Sequence, residues 1–168
     1  MATVFFKGEP IPTAGHIPEV GKMAPPFTLT DKSLKDKTLN DFLGKTLVLS
    51  IFPSLDTGTC AASVHAFNRA ASTLEQTLVL CISMDLPFAQ ARFCGAADLN
   101  DVIMLSAFRH PEFGQTYGVT IEAGPMKGLL SRAVIVVNPE GRIIYTEHVA
   151  EITQEPDYAT ALGSIQAG

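Results

Sequence analysis

Apolar and polar positions along this chain change their period several times, and each change marks an element. Residues 46–52 (TLVLSIF) and 78–83 (LVLCIS) are nearly unbroken apolar runs, as strands buried on both faces of a parallel sheet require. Between them Val64, Phe67, Ala71 and Leu74 recur at the spacing of an amphipathic helix. Residues 102–105 form a third short apolar run, and 87–95, opening on Pro87, predict a short helix before it. The pattern thus reads strand, helix, strand, helix, strand.

The flanks are more irregular. Residues 3–13 predict an N-terminal hairpin turning around Gly8 and Glu9, with Pro10 and Pro12 marking a sheet edge, placed as a lid on the sheet. Residues 25–31 supply another short strand, followed by a polar stretch and by one or two helical turns over 39–43 that Gly44 stops. Residues 109–117 predict a helical turn and 121–130 a loop. Residues 132–137 and 143–149 form a second hairpin through Pro139, Glu140 and Gly141. The last helix is announced by Pro156 at its first position and carries Tyr158, Ala161, Leu162 and Ile165 on one face. No repeat, linker or low-complexity tract interrupts the chain, so residues 1–168 read as one domain, with 1–16 its N-terminal hairpin. A parallel βαβ unit followed by an antiparallel hairpin and a terminal helix gives a central mixed β-sheet flanked by helices. That is the plan of thioredoxin-like folds, among others in the α/β class.

Composition narrows the function classes. The chain has 168 residues, of which 46% are hydrophobic and 17% charged, and a net charge of −5. Charge this sparse excludes disorder and leaves apolar surface for an oligomer. The acidic balance, with scattered Lys and Arg, gives no footprint for nucleic acid or anionic lipid. No apolar window reaches membrane-spanning length and the N-terminus has no leader pattern, so the expected location is cytoplasmic. Three cysteines leave an odd thiol in any disulfide framework, which points to chemical thiols in a reducing compartment.

The stretch Pro53-Ser54-Leu55-Asp56-Thr57-Gly58-Thr59-Cys60 lies between a buried strand and the first turn of the next helix, where open α/β sheets bind ligands. A cysteine in that turn meets unsatisfied backbone N–H groups and the positive end of the helix dipole, both of which favour a thiolate. Cys60 is therefore placed to be a nucleophile. A small residue filling a strand–helix junction is the other reading of the same position. Asp56-Thr57-Gly58 also spells the aspartic protease triplet, but that chemistry needs two carboxylates sharing a proton. The stretch lacks the second glycine and the lysine of a phosphate loop. The cysteines form no C-x-x-C pair, and His16, His65, His110 and His148 fall in four separate elements, so no metal site is expected. A hydrolase pairing Cys60 with His65 is disfavoured, because residues five apart on a helix diverge. Cys81, inside LVLCIS, reads as buried and structural, and Cys94 on its own as a partly exposed helical thiol.

PSLDTGTC fits the P-x-x-x-T-x-x-C signature of peroxiredoxins. With LSIFPSLDTGTCAASVHAFN, DLPFAQARFCGA and a later S-R-A-V, the chain closely resembles the thiol peroxidase subfamily of atypical two-cysteine peroxiredoxins over almost its whole length. That resemblance implies a peroxidatic Cys60, a resolving Cys94, and a pocket of Thr57, Pro53 and Arg132 around the nucleophile. It further implies reduction of hydrogen peroxide and alkyl hydroperoxides through an intramolecular Cys60–Cys94 disulfide, recycling by thioredoxin, a homodimer and no prosthetic group. A peroxide-sensing switch that regulates a partner protein would use the same two thiols.

Overall fold

The computed structural model describes residues 2–97 and 99–167. In chain order these form β1 (Thr3–Phe6), β2 (Glu9–Pro12), β3 (Thr28–Asp31), β4 (Asp36–Thr38), β5 (Thr46–Ile51), α1 (Gly58–Ala71) and β6 (Thr77–Ser83). Then come α2 (Pro87–Ala97), β7 (Val102–Ser106), α3 (Glu112–Thr116), β8 (Ala133–Val137), β9 (Ile143–His148) and α4 (Tyr158–Ala167). A 3₁₀ turn, Leu39–Asp41, follows β4.

Strict alternation within the apolar strands decides the architecture, because successive residues point to opposite faces of a sheet. β5 pairs in parallel with β6, and β6 with β7, through registers such as Leu49 opposite Leu80 and Cys81 opposite Met104. Antiparallel strands extend both sides and give the order β4-β3-β7-β6-β5-β8-β9. Leu47, Leu49, Ile51, Leu80, Ile82 and Leu105 face a core closed by Phe27, Phe113 and Tyr117. Phe113 and Tyr117 stack with ring centroids 4.6 Å apart, and the Tyr117 hydroxyl donates to the Pro25 carbonyl. On the other face Val48, Val79, Cys81, Met104, Val134 and Val136 pack against Val64 and Phe67 of α1, Cys94 of α2 and Ala161 of α4. The mixed sheet with helices on it, the N-terminal hairpin and the second hairpin all match the expected plan.

Five local expectations are corrected. The first hairpin turns on Lys7 and Gly8, whose φ angles of 52° and 84° suit a two-residue turn, and not on Gly8 and Glu9. Nor does it lie on the central sheet. It builds a satellite core of Val4, Ile11, Ile121 and Ile152, and Phe5 bridges to Glu151. The polar stretch after residue 31 contains β4, whose Lys37 pairs with Leu29, so an edge strand has formed from charged residues. Pro156 precedes the last helix: the Asp157 carboxylate accepts the Thr160 N–H at 3.1 Å and its hydroxyl at 2.6 Å, so Asp157 is the cap. Leu74 likewise falls just beyond the end of α1.

Candidate active site

Two neighbouring strand ends and one helix start build the site. β5 ends at Ile51, and the chain crosses Pro53 to reach the N-cap Thr57, so Cys60 is the third residue of α1. The first intrahelical hydrogen bond is Ala61 N–H to the Thr57 carbonyl at 3.1 Å. The amides of Gly58, Thr59 and Cys60 therefore precede the helical ladder. Thr57 does not cap the helix with its side chain; its hydroxyl instead donates to the Ser54 carbonyl at 3.1 Å. With its proton committed there, the Thr57 oxygen is left as an acceptor.

β8 runs antiparallel to β5, with Ala133 opposite Ile51, which brings Arg132 beside the start of α1. Arg132 is 2% exposed. Its Nε donates to the Ile152 carbonyl at 3.0 Å and its Nη2 to Cys60 Sγ at 3.1 Å. Its Nη1 is buried and has no hydrogen-bond partner among the described residues. A cavity of about 70 Å³ opens against this guanidinium, walled by Pro53, Thr57, Thr59, Arg132 and Thr153 and rimmed by the apolar Phe6, Met126 and Ile152. Thr59 ties α1 to the far wall through a hydrogen bond from its hydroxyl to the Thr153 carbonyl. Buried Pro53 offers no N–H to this wall.

The structure places Pro53, Thr57 and Arg132 around one cavity and Arg132 against Cys60, but the sulfur is not at a solvent-facing mouth. Cys60 is 0% exposed and is not itself part of the cavity wall. The reason was present in the pattern: Cys60 lies one helical repeat before Val64 and two before Phe67, so it continues the buried stripe of α1. Arg132 is the group that both lines the cavity and touches the sulfur.

Cys94 lies on α2 and packs into the same apolar cluster as Cys60, on the same face of the sheet. All three cysteines are free thiols. Cys94 is buried rather than partly exposed, because α2 turns Gln90 and Cys94, one repeat apart, toward β7. Burial pushes its thiol above the ordinary range, with Lys32 pulling weakly the other way. Cys81 is fully enclosed, and burial drives its thiol far up, which fits a structural role. Sequence reasoning missed Ile152, Thr153, Phe6 and Met126, which reach the site from loops and from the hairpin and carry no reactive group to signal them. It also missed Asp85, whose carboxylate accepts hydrogen bonds from Ser54 and Leu55. A lone acidic residue just after a buried strand was the available signal.

Comparison with known proteins agrees with this geometry. Residues 19–162 match the redoxin family. The chain is 49% identical over 165 residues to a thiol peroxidase of Corynebacterium glutamicum, covering 98% of this chain and 99% of that one. It is 50% identical over 167 residues to a thiol peroxidase of Mycobacterium bovis, covering 99% and 100%. Among solved structures, a peroxiredoxin-like protein from Aquifex aeolicus superposes with a TM-score of 0.93 at 36% identity, over 99% of this chain and 97% of that one. A thiol peroxidase from Chromobacterium violaceum shares the fold with a TM-score of 0.92 at 24% identity, over 99% and 96%. With a family match spanning most of its length and two relatives near half identity end to end, the chain belongs to the redoxin family, in its thiol peroxidase branch.

Proposed function

We propose that this chain reduces hydroperoxides through its own thiols, with Cys60 as the attacking sulfur and Cys94 as the resolving one. The observation that carries the reading is the Arg132 guanidinium, which donates to Cys60 Sγ at 3.1 Å while a second, unpartnered nitrogen stays buried beside a small cavity. A guanidinium is a permanent charge with donors in a fixed fork, so it holds negative charge on the sulfur and then on the oxygens as charge moves between them. The Thr57 oxygen accepts a hydrogen bond from the incoming hydroperoxide and orients it. Pro53 keeps competing donors and water from the sulfur.

In the first step the Cys60 thiolate attacks the terminal oxygen and the O–O bond breaks. The leaving alkoxide or hydroxide takes up a proton, and Cys60 becomes a sulfenic acid. In the second step the Cys94 thiol attacks Cys60 Sγ, water leaves and a disulfide forms. A dithiol of the thioredoxin type then reduces that disulfide and is itself oxidised. Ionisation alone is too small an effect to explain rapid reduction. With a free pKa near 8.5, only about 3% of a cysteine is thiolate at neutral pH, so full ionisation gains about 30-fold. A preorganised donor in a dry site contributes about 3 kcal/mol, so the pocket supplies the larger part.

A disulfide needs Cα atoms within about 7 Å. Cys60 sits in the first turn of one helix and Cys94 in the body of another, and local unwinding of the start of α1 and of α2, which the family resemblance implies, brings the two together. Recycling by thioredoxin assigns the protein to the reducing cytoplasm. A homodimer accounts for the sparse charge and for Leu86, Phe88 and Phe108, exposed together around one groove. Sedimentation velocity should then give twice the chain mass, and a single-chain mass at micromolar concentration would refute it.

Peroxide-dependent NADPH oxidation, coupled through thioredoxin and its reductase, tests the enzymatic reading. Cys60→Ser should abolish turnover. Cys94→Ser should allow one turnover without thioredoxin-supported recycling, and Cys81→Ser should keep near-normal rates. Stoichiometric oxidation of the wild type without repeated peroxide consumption would instead favour a peroxide-sensing switch.

A further inference from the structure

Asp85 lies in the turn between β6 and α2, outside the pocket around Cys60, yet its carboxylate accepts three hydrogen bonds there. Its Oδ1 accepts the Ser54 hydroxyl at 2.8 Å, and its Oδ2 accepts both the Leu55 N–H at 2.8 Å and the Ser83 hydroxyl at 2.7 Å. Ser54 and Leu55 belong to the loop that carries Pro53 and Thr57 into α1. On the other side, the Ser106 hydroxyl donates to the Asp85 carbonyl at 2.5 Å. Gln90, in the body of α2, donates from Nε2 to Ser83 Oγ at 3.2 Å and to the Leu105 carbonyl at 2.9 Å. Ser83, Gln90 and Ser106 are all 0% exposed. The carboxylate therefore joins the loop ahead of Cys60 to the end of β6, and through Ser83 to Gln90 of the helix that carries Cys94.

We propose that Asp85 is a positioning residue, a latch that holds the Cys60 loop and α2 in their packed arrangement together and lets them open together. The proposal rests on the two-thiol reading above. Peroxide reduction needs the packed arrangement, in which Arg132 donates to the sulfur and Thr57 lines the adjoining cavity, and disulfide closure needs both segments released. Charge-assisted bonds of this kind, here half-buried, are stronger than neutral ones, and the Leu55 N–H can find no other protein acceptor by rotating. Loss of the carboxylate thus shifts the balance from the first chemical step toward the second. A substitution that merely weakened the fold would slow both.

The test compares Asp85→Ala, Asp85→Asn and Ser54→Ala with wild type in two measurements. The first is amide exchange of the reduced protein over residues 53–60 and 87–97. The second is rapid-mixing kinetics that separate oxidation of Cys60 by hydrogen peroxide from later loss of the Cys94 thiol. Asp85→Ala should raise exchange in both segments by at least tenfold and to similar extents, slow Cys60 oxidation at least tenfold, and speed disulfide closure. Asn can keep its carbonyl toward Leu55 and Ser83, so Asp85→Asn should recover most of the protection. Ser54→Ala, which removes only the loop-side hydroxyl, should give a smaller change of the same sign. Exchange that rises in one segment only, or in neither, overturns the latch, as does slowing of both chemical steps together. Should Asp85→Ala fail to fold, the other two variants carry the same criteria. Exchange needs no turnover, so it decides the latch even if wild type proves to reduce no peroxide, a result that would sink the proposed function separately.

Discussion

Replacing Arg132 with methionine separates catalysis from stability. The guanidinium presents Nη2 to Cys60 Sγ and holds Nη1 buried and unpartnered, so the substitution deletes two donors at once. Removing a single preorganised donor costs about 10²–10³ in rate, so the rate constant for Cys60 oxidation should fall at least ~10³-fold, about 4 kcal/mol. Folding stability should barely move. The Ile152 carbonyl loses its donor, a loss of about 1–3 kcal/mol. The apolar side chain removes the cost of burying the guanidinium, and Cys60 can take up a proton, so no unpaired charge is left buried. Stopped-flow competition against a peroxidase of known rate gives the first quantity, and urea unfolding the second. Arg132→Lys should fall between, since one ammonium cannot serve the Ile152 carbonyl and the sulfur together. A methionine variant that oxidises within threefold of wild type would refute the assigned role. So would a stability loss beyond about 4 kcal/mol, large enough by itself to explain the lost activity.

Three further outcomes follow from other groups. Burial raises the Cys94 thiol above its ordinary value of 9.0, so packing of α2 favours the neutral thiol. That contribution is whole below about pH 9 and is lost as pH rises above it, so amide protection over residues 88–97 should decline there in wild type but not in Cys94→Ala. Glu151, which accepts the amides of Lys7, Gly8 and Thr153 and the Thr153 hydroxyl, is held down to about 2 by those bonds, the Thr153 and Gly8 amides foremost. Its contribution is whole above its ordinary value of 4.5 and is lost as pH falls toward 2. The N-terminal hairpin should therefore loosen over that range, read from the Gly8 amide resonance, and Glu151→Gln should flatten the dependence. Gly118 has a φ of +70°, and an added Cβ would lie 2.3 Å from the His16 carbonyl oxygen. Gly118→Ala should cost about 1–2 kcal/mol for the left-handed backbone and about 1–3 kcal/mol for the crowding, seen as a lowered melting temperature.

The buried strands and the two helices between them were legible because their apolar runs and spacings admit few alternatives. β4 was not, because Asp36 and Lys37 form an edge strand only through the partner that β3 offers. Pro156 misplaced the start of α4 for a similar reason: a proline before the cap and a proline inside the first turn look alike until Asp157 is seen to bond Thr160. At the site, Cys60 announces itself by its place in the first turn of a helix, whereas Thr57 and Pro53, though in the same stretch, were assigned through the resemblance. Arg132 was identified only through the resemblance, since its approach to Cys60 depends on the pairing of Ala133 with Ile51. Asp85 offered only its place just after a buried strand, because its role consists of bonds to a loop far away in sequence.

The parallel run of β5, β6 and β7 sends residues 53–60, 84–87 and 107–110 out at one rim of the sheet, and the antiparallel β8 starts at that same rim. The other rim gathers Gly44, whose amide reaches the Pro139 carbonyl, and Thr46, whose amide reaches that of Gln76. No thiol chemistry is assigned to that end, where Pro139 and Glu140 stand exposed in a short turn. It is the natural handle for attaching a fluorophore or a surface tether: a label there can report on the molecule from across the full width of the sheet without obstructing the thiols.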